Sequence, residues 1–287
     1  MTYSKLIAGT MTWGVWGKSL LKNDMIAILK HGVSENITTF DHADIYGGYT
    51  TETEFGQAFK DSGIYREDVQ FISKCGIQYM SANRKNVVKH YDYSKDYIIW
   101  SVEASLKNLQ TDYLDTLLLH RPSPLMQPDE ISEAIITLKN SGKIKHFGVS
   151  NFTASQMDLI SKNVQIDVNQ IEFSLTKKDA IHDGTLDYMM VNNIKPMAWS
   201  PLGSVFKEET AQSLRIKNQL EILSEKYQAT ADQLLLAWIL KHPSGIIPVI
   251  GTTNMERMTA AQQATKIDLE TEDWFLILVA SQGHKVP

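Results

Sequence analysis

The stretch LDTLLLHRPSPLMQPDEISEAIITLKNSGKIKHFGVSNFTASQMDLISKN, residues 114–163, carries the architecture in small. It opens on a short apolar run, Leu114 to His120. Pro128 then heads an amphipathic segment that stops at Ser141-Gly142, since proline suits the first helical position and glycine the position past the last. A second apolar run, Ile144 to Ser150, follows, and Thr153 stands as the cap of the next helical segment, ASQMDLISKN. Strand, helix, strand, helix is the pattern of parallel strands joined by crossover helices.

The alternation continues in both directions. Strands are expected at residues 6–11, 36–41, 69–74, 114–120, 144–150, 165–173, 195–200 and 245–251, with a helix opened by Ser94 or Asp96 between the third and the fourth. Eight such units in 287 residues fit an α/β fold of the (β/α)8 TIM-barrel type, typically about 250 residues, better than an open doubly wound sheet. The surplus falls in a segment at 77–93, an extra helix near 212–228 ahead of 230–241 and the last strand, and a C-terminal helix at 270–281. With no Pro/Gly/Ser-rich linker, one domain over 1–287 is expected. After the first strand, GTMTWGVWG places Gly9, Gly14 and Gly17 at the wrong spacing for a G-x-G-x-x-G phosphate turn, which disfavours a Rossmann site.

Composition narrows the partners. A net charge of −5 and no Lys/Arg cluster give no basic field for nucleic acid or an anionic membrane, so a small molecule is favoured. The N-terminus MTYSKLIAGT lacks a basic stretch followed by an apolar one, and no run of about 18 apolar residues occurs, so a cytoplasmic location is expected. The single cysteine, Cys75, cannot form an internal disulfide and reads as a small buried hydrophobe.

Polar residues gather where the strands end. Asp41 closes the second, Lys74 the third, His120 the fourth, Ser150 and Asn151 the fifth; Gln170 lies late in the sixth and Ser200 closes the seventh. In a barrel of this type the C-terminal rim is where residues scattered in sequence converge on one pocket.

The second of these strands runs into TFDHADIYGG, residues 39–48. Asp41, His42 and Asp44 could ligate a metal, yet strand alternation sends Asp41 and His42 to opposite faces, and no second histidine stands at ligand spacing. A metal is therefore not expected. An acid/base reading uses Tyr46: an ammonium at Lys74 would favour the phenolate and lower a pKa of about 10, Asp41 would hold Lys74 charged, and His120 would orient the substrate oxygen or share its proton. Such a group fits proton donation to a carbonyl that receives hydride from a cofactor.

Taken together, FDHADIYG (40–47), ISKCG (72–76), SVEASLKNLQTDYLDTLLLHRP (101–122), GKIKHFGVSNF (142–152), NQIEFS (169–174), WSPLG (199–203) and PVIGTTNMERM (248–258) resemble the aldo-keto reductases, in order and over nearly the whole chain. GIQY, YDYSKDYI and the ending SQGHKVP are similar to a bacterial branch of uncharacterised oxidoreductases within that superfamily. The resemblance implies NADPH-dependent reduction of an aldehyde or ketone on a barrel without a Rossmann fold, with a tetrad of Asp41, Tyr46, Lys74 and His120 and Tyr46 as general acid. It assigns Ser150, Asn151 and Gln170 to the nicotinamide amide, Trp199 to stacking on the nicotinamide, and Ser200, Leu202 and Gly203 to the pyrophosphate. Gly9, Thr10 and Met11 would line the nicotinamide side of the first strand, and Thr252 and Arg257 would hold the adenosine 2′-phosphate. Gly251 stands where many members carry a lysine, so one phosphate-binding charge is missing; Arg257 keeps NADPH the expected cofactor over NADH. The resemblance leans towards a monomer without testing it, and leaves the substrate and the preferred direction of reaction open.

The neighbouring residues read more plainly. His42 is expected to face the surrounding helices, Asp44 to be a turn or cap group, and Gly47 and Gly48 to allow the turn into the next helix. Trp13 and Trp16, just past the first strand, would wall a substrate pocket or cover the barrel mouth. The segment 77–93, with Arg84, Lys85, Lys89 and His90, is a solvated face or a substrate loop. Two other functions compete: a cofactor-binding regulatory or redox-sensing subunit on the same barrel, which the complete tetrad weighs against, and an unrelated metal-dependent barrel hydrolase.

Overall fold

In the computed structural model, which describes residues 3–287, eight parallel strands close into a barrel. The chain runs β1 (Ile7–Gly9), α1 (Lys22–Ser34), β2 (Thr39–Asp41), α2 (Thr51–Ser62), β3 (Gln70–Cys75), β4 (Ile77–Gln78), β5 (His90–Tyr91) and α3 (Lys95–Leu109). It continues through β6 (Leu114–Leu119), α4 (Pro128–Asn140), β7 (Ile144–Ser150), α5 (Ala154–Ser161), β8 (Val168–Glu172), α6 (Thr185–Val191) and β9 (Lys195–Trp199). It ends with α7 (Ala211–Tyr227), α8 (Ala231–Leu240), β10 (Ile247–Ile250), α9 (Met255–Ala264) and α10 (Thr271–Gln282). Every expected barrel strand is present, the first and second cut back to three residues each, and the strands neighbour one another in the order β1-β10-β9-β8-β7-β6-β3-β2. The extra helices are there too: α7 precedes α8, and Arg215 of α7 donates from Nε to the Ala280 carbonyl of α10 at 3.0 Å.

The helix starts follow the local chemistry. Ser94, rather than Asp96, caps α3 by accepting from the Tyr97 N–H, Pro128 occupies the first turn of α4, and Thr153 forms a reciprocal capping box with Gln156 on α5.

Strand alternation builds two apolar layers. Phe40, Phe71, Leu117, Leu119, Phe147 and Val149 point outward and pack with the helices, while Ile7, Ile72, Leu118, Val168, Met197 and Val249 meet inside the barrel as a plug. Residues two apart on a strand face the same way. Above Ile7, Ile72, Leu118, Val168, Met197 and Val249 therefore stand Gly9, Lys74, His120, Gln170, Trp199 and Gly251. Lateral pairing adds Asp41, level with Gly9, and Ser150, level with Gln170. One rung of the barrel is apolar, and the next carries the chemistry.

The segment 77–93 is more ordered than a plain loop. β4 and β5 form a small antiparallel ribbon, pairing Ile77 with Tyr91 and Gln78 with His90. Gly76 at φ +106° lets the chain leave β3 for this ribbon, and a Cβ there would lie 1.9 Å from the Tyr93 ring. No helix of the described residues is long and apolar enough to cross a membrane.

Candidate active site

Lys74 is the centre of the rung, 1% exposed. Its Nζ donates to Asp41 Oδ2 at 2.7 Å, to the His42 carbonyl at 2.7 Å and to Tyr46 Oη at 3.1 Å. An ammonium has three protons, and all three are directed. Asp41 accepts in turn from Gln170 Nε2 through Oδ1 at 2.9 Å. Tyr46 reaches the cluster because the chain turns after β2, its N–H bonded to the Ala43 carbonyl at 3.1 Å, and Gly47 and Gly48 at φ +63° and +66° then lead the chain on to α2. The His120 ring stands edge-on to it, centroids 6.1 Å apart.

Burial sets the protonation states. Around Lys74 it opposes the ammonium, but Asp41 and then Tyr46 outweigh it and the pKa is raised, so the lysine is charged. Tyr46 departs from expectation: burial raises its phenol more than Lys74 draws it down, and the net shift is upward. The hydroxyl keeps its proton, the state a proton donor needs. Burial, with Lys74 and Arg121 beyond it, holds the His120 imidazole well below its ordinary pKa, so the ring is neutral. Its Nδ1 is buried without a partner among the described residues.

The other half of the mouth is formed by the ends of β7 and β8 and the loops after β9, β10 and β1, consecutive strands in the barrel. Ser150 Oγ donates to the Gln170 carbonyl at 2.8 Å, and Asn151, at φ +58°, accepts from Trp199 Nε1 at 3.2 Å. Trp199 is only partly buried. Ser200 and Gly203 both take φ +55°, and a Cβ on Gly203 would lie 2.1 Å from Thr176 Oγ1, while Leu202 packs on the core beneath. Gly251 and Arg257 are exposed and Thr252 is partly so; Asn254 caps α9 by accepting from the Arg257 N–H at 2.9 Å. Gln170, expected at the nicotinamide amide, gives one Nε2 proton to Asp41, so its Oε1 and second Nε2 proton are left for a ligand.

Residues 5–278 match the aldo/keto reductase family. The chain belongs to the aldo/keto reductases. It is 41% identical to the uncharacterized oxidoreductase YcsN of Bacillus subtilis, over 100% of this chain and 97% of that protein. It is 37% identical to a 6-dehydroglucose reductase of Agrobacterium fabrum, over 88% of this chain and 86% of that one. The crystal structure of an aldo/keto reductase from Klebsiella pneumoniae in complex with NADP and acetate superposes with a TM-score of 0.78 at 25% identity, covering 98% of this chain and 92% of that one. Membership makes the chain an oxidoreductase of the carbonyl-reducing kind.

Several residues of this aldo/keto reductase lie elsewhere than expected. Trp13 does not wall the mouth: it is fully buried beside Phe40 and Phe55, between the barrel and α2, because the loop after β1 folds outward. Trp16 does reach the mouth, 37% exposed and packed on Tyr46 and Tyr79 with centroids at 6.2 and 5.1 Å. The Thr10 side chain turns outward with His42, donating to the Asp41 carbonyl at 3.0 Å and meeting His42 Nδ1 at 2.9 Å; Gly9 and Met11 keep surface on the mouth side. His42 faces the helices as expected, its ring 4.2 Å from that of Phe55.

Asp44 stands in the turn ahead of Tyr46, as expected, but its side chain does more than cap it. It is buried against α3, accepting from Ser101 Oγ at 3.2 Å, and desolvation with the nearby Glu52 pushes its carboxyl up to about 8. Cys75 is buried, as expected of a small hydrophobe. One residue the strand pattern did not single out is Arg121. It follows His120 directly, donating through Nη1 to the His120 carbonyl at 2.6 Å and to Ser150 Oγ at 3.0 Å, with its guanidinium 5.5 Å from the Trp199 ring centroid. The signal available was a cation one position past a strand-end histidine.

Proposed function

We propose that this chain reduces an aldehyde or ketone to the alcohol with NADPH, with Tyr46 as the proton donor. The observation that carries the reading is the buried cluster in which one ammonium, Lys74, bonds both the Asp41 carboxylate and the Tyr46 hydroxyl, with a neutral His120 beside it. Asp41 keeps Lys74 charged and aimed. Lys74 stabilises the phenolate that Tyr46 becomes on giving up its proton, and His120 positions the substrate oxygen through Nε2. Bound NADPH supplies the hydride to the carbonyl carbon. The proton on Tyr46 goes to the carbonyl oxygen, and hydride plus proton complete the alcohol.

The chain's residues suit that cofactor. Trp199 is left partly exposed for a planar ring, and Asn151 and Ser200 sit in left-handed backbone at the strand ends beside it. Thr252 and the exposed guanidinium of Arg257 lie at the start of α9, where an anion is favoured by the helix N-terminus and by the cation together. This supports NADPH over NADH. Trp16 and Tyr79 offer aromatic surface beside Tyr46 for the body of the substrate, while Trp13 is withdrawn from that role by its burial. One domain over 1–287 is the proposed organisation.

The experiment is NADPH consumption over aldehydes, ketones, quinones and sugar carbonyls, including the 6-dehydroglucose that names one relative. Tyr46→Phe serves as the control. Full turnover in a folded, cofactor-binding Tyr46→Phe protein would overturn the mechanism, and a tighter dissociation constant for NADH than for NADPH would overturn the cofactor assignment.

A further inference from the structure

The mouth carries a charge that the reduction of a carbonyl does not use. At Arg66 the chain shows how it stabilises a partly buried guanidinium, with Asp115 Oδ2 at 2.7 Å; among the described residues Arg121 has no such carboxylate. Its Nη1 serves the His120 carbonyl and Ser150 Oγ, while Nε and Nη2 make no hydrogen bond among the described residues. Partial burial disfavours this charge, and the acid whose field reaches it is the exposed Glu172 at the end of β8. A second cation, the exposed Lys89 between β4 and β5, also acts on His120. Lys74 is neutralised by Asp41. A chain of net charge −5 thus holds, at the place where its substrate would sit, a guanidinium with no carboxylate bonded to it among the described residues.

The position of Arg121 is fixed by the fold. The buried Tyr93 hydroxyl donates to the Arg121 carbonyl at 2.5 Å and accepts from the Arg121 N–H at 3.1 Å, clamping the backbone on both sides. Gly76 makes the room for that ring. The ribbon after β3 and the loop after β6 are thereby tied together at this residue.

We propose that Arg121 is a specificity-determining residue and that the substrate is a carbonyl compound bearing a carboxylate, held by the free Nε/Nη2 edge of the guanidinium while its carbonyl meets Tyr46 and His120. This rests on the reductase reading above. A planar guanidinium edge presents two parallel N–H groups, the complement of a carboxylate, and the partly desolvated setting strengthens the pair. Lys89 adds long-range attraction from the rim.

Two substrate pairs test it: para-carboxybenzaldehyde against its methyl ester, and glyceraldehyde phosphate against glyceraldehyde. The wild-type chain is expected to prefer the carboxylate over its ester by about tenfold or more in kcat/KM, chiefly through KM. Arg121→Met brings that ratio close to one, Arg121→Lys leaves it intermediate because charge remains and the fork does not, and Lys89→Ala lowers it by about twofold. A wild-type ratio at or below one, or an unchanged ratio in Arg121→Met, overturns the assignment. So does a loss of NADPH affinity in Arg121→Met with the ratio intact, which would make Arg121 a cofactor contact. A phosphate preference larger than the carboxylate preference overturns the carboxylate class. Calorimetric titration of the NADP-loaded protein with para-(hydroxymethyl)benzoate and its methyl ester gives a readout without turnover. Tighter binding of the acid, abolished by Arg121→Met, supports the proposal, and equal binding overturns it. If no carbonyl of the wider panel is reduced, the reductase reading fails while this binding pair still decides Arg121.

Discussion

On the β2, β3 and β6 side of the barrel mouth, every proton of Lys74 has a protein acceptor and Asp41 is bonded through both oxygens, all in a setting closed to solvent. On the β9, β10 and β1 side, Gly251 and Arg257 stand exposed, and Thr252 and Trp199 half-exposed. The first side is organised before any ligand arrives, and its electrostatics need no rearrangement at the moment of reaction. The second consists of groups whose partners are supplied from outside. A change on the first side should therefore strike turnover and folding, and a change on the second should strike affinity.

The sharpest way to break the comparison is Tyr46→Phe, which removes one oxygen from the organised side. Turnover should fall by about a thousandfold, within the range for loss of a positioned general acid, while the NADPH dissociation constant moves by no more than about twofold. Stopped-flow hydride transfer and cofactor fluorescence read the two separately. Equal losses in both would show that the two sides are not separable. Next in size is Lys74→Met, which leaves Asp41 charged and buried beside an apolar chain. Stranding one partner of a buried pair costs about 3 kcal/mol or more, so urea unfolding should show that loss alongside the loss of activity. A stable Lys74→Met protein would mean that Asp41 finds another partner or a proton.

A third change concerns Asp44, which lies on the same chain segment as Asp41 and Tyr46 but faces α3. Its carboxyl is raised from 3.8 to about 8 by desolvation and by Glu52. Between those values the folded chain holds a proton that the unfolded chain has released, so the folded state binds more protons and stability falls as pH rises across that window. Asp44→Asn imitates the protonated form at every pH. It should match the wild type near pH 4 and exceed it by about 2 kcal/mol near pH 8, a part of the full linkage because Glu52 titrates with it. Thermal melts across that range check the slope; a gap independent of pH would locate the effect in packing.

The same division explains what could be read before the structure. Lys74, His120 and Gln170 were legible because each lies at the end of an apolar strand, and alternation from Ile72, Leu118 and Val168 sends them inward. Alternation has nothing to say once the strand ends. Trp13 lies beyond β1 in a loop whose path is set by packing on Phe40 and Phe55, so its burial was not readable from spacing. Asp44 is buried by Ser101, 57 positions away in sequence. The ribbon of β4 and β5 has two residues per strand, too short to leave a periodic signature. The direction of the Tyr46 shift was also out of reach, since sequence supplies the neighbouring ammonium but not the depth of burial that outweighs it.

The smallest expected effect tests the second side of the comparison. Arg257 is exposed at the first turn of α9, and Gly251 occupies the place where the family resemblance leads one to expect a lysine. If this half of the mouth takes its partners from the ligand, Arg257 carries most of the charge available to a 2′-phosphate. Arg257→Ala should then weaken NADPH binding by about tenfold, equivalent to about 1.4 kcal/mol, with the NADH dissociation constant changed by less than about twofold and the melting temperature unmoved without cofactor. Gly251→Lys should act in the opposite sense, since the exposed backbone there has nothing within 4 Å of an added Cβ. Because the discriminating group is exposed, both differences should shrink as salt is raised. Equal losses for the two cofactors in Arg257→Ala would place the guanidinium on a part of the dinucleotide that they share, and the discrimination between them would then have to come from Thr252 and the amides of the α9 N-terminus.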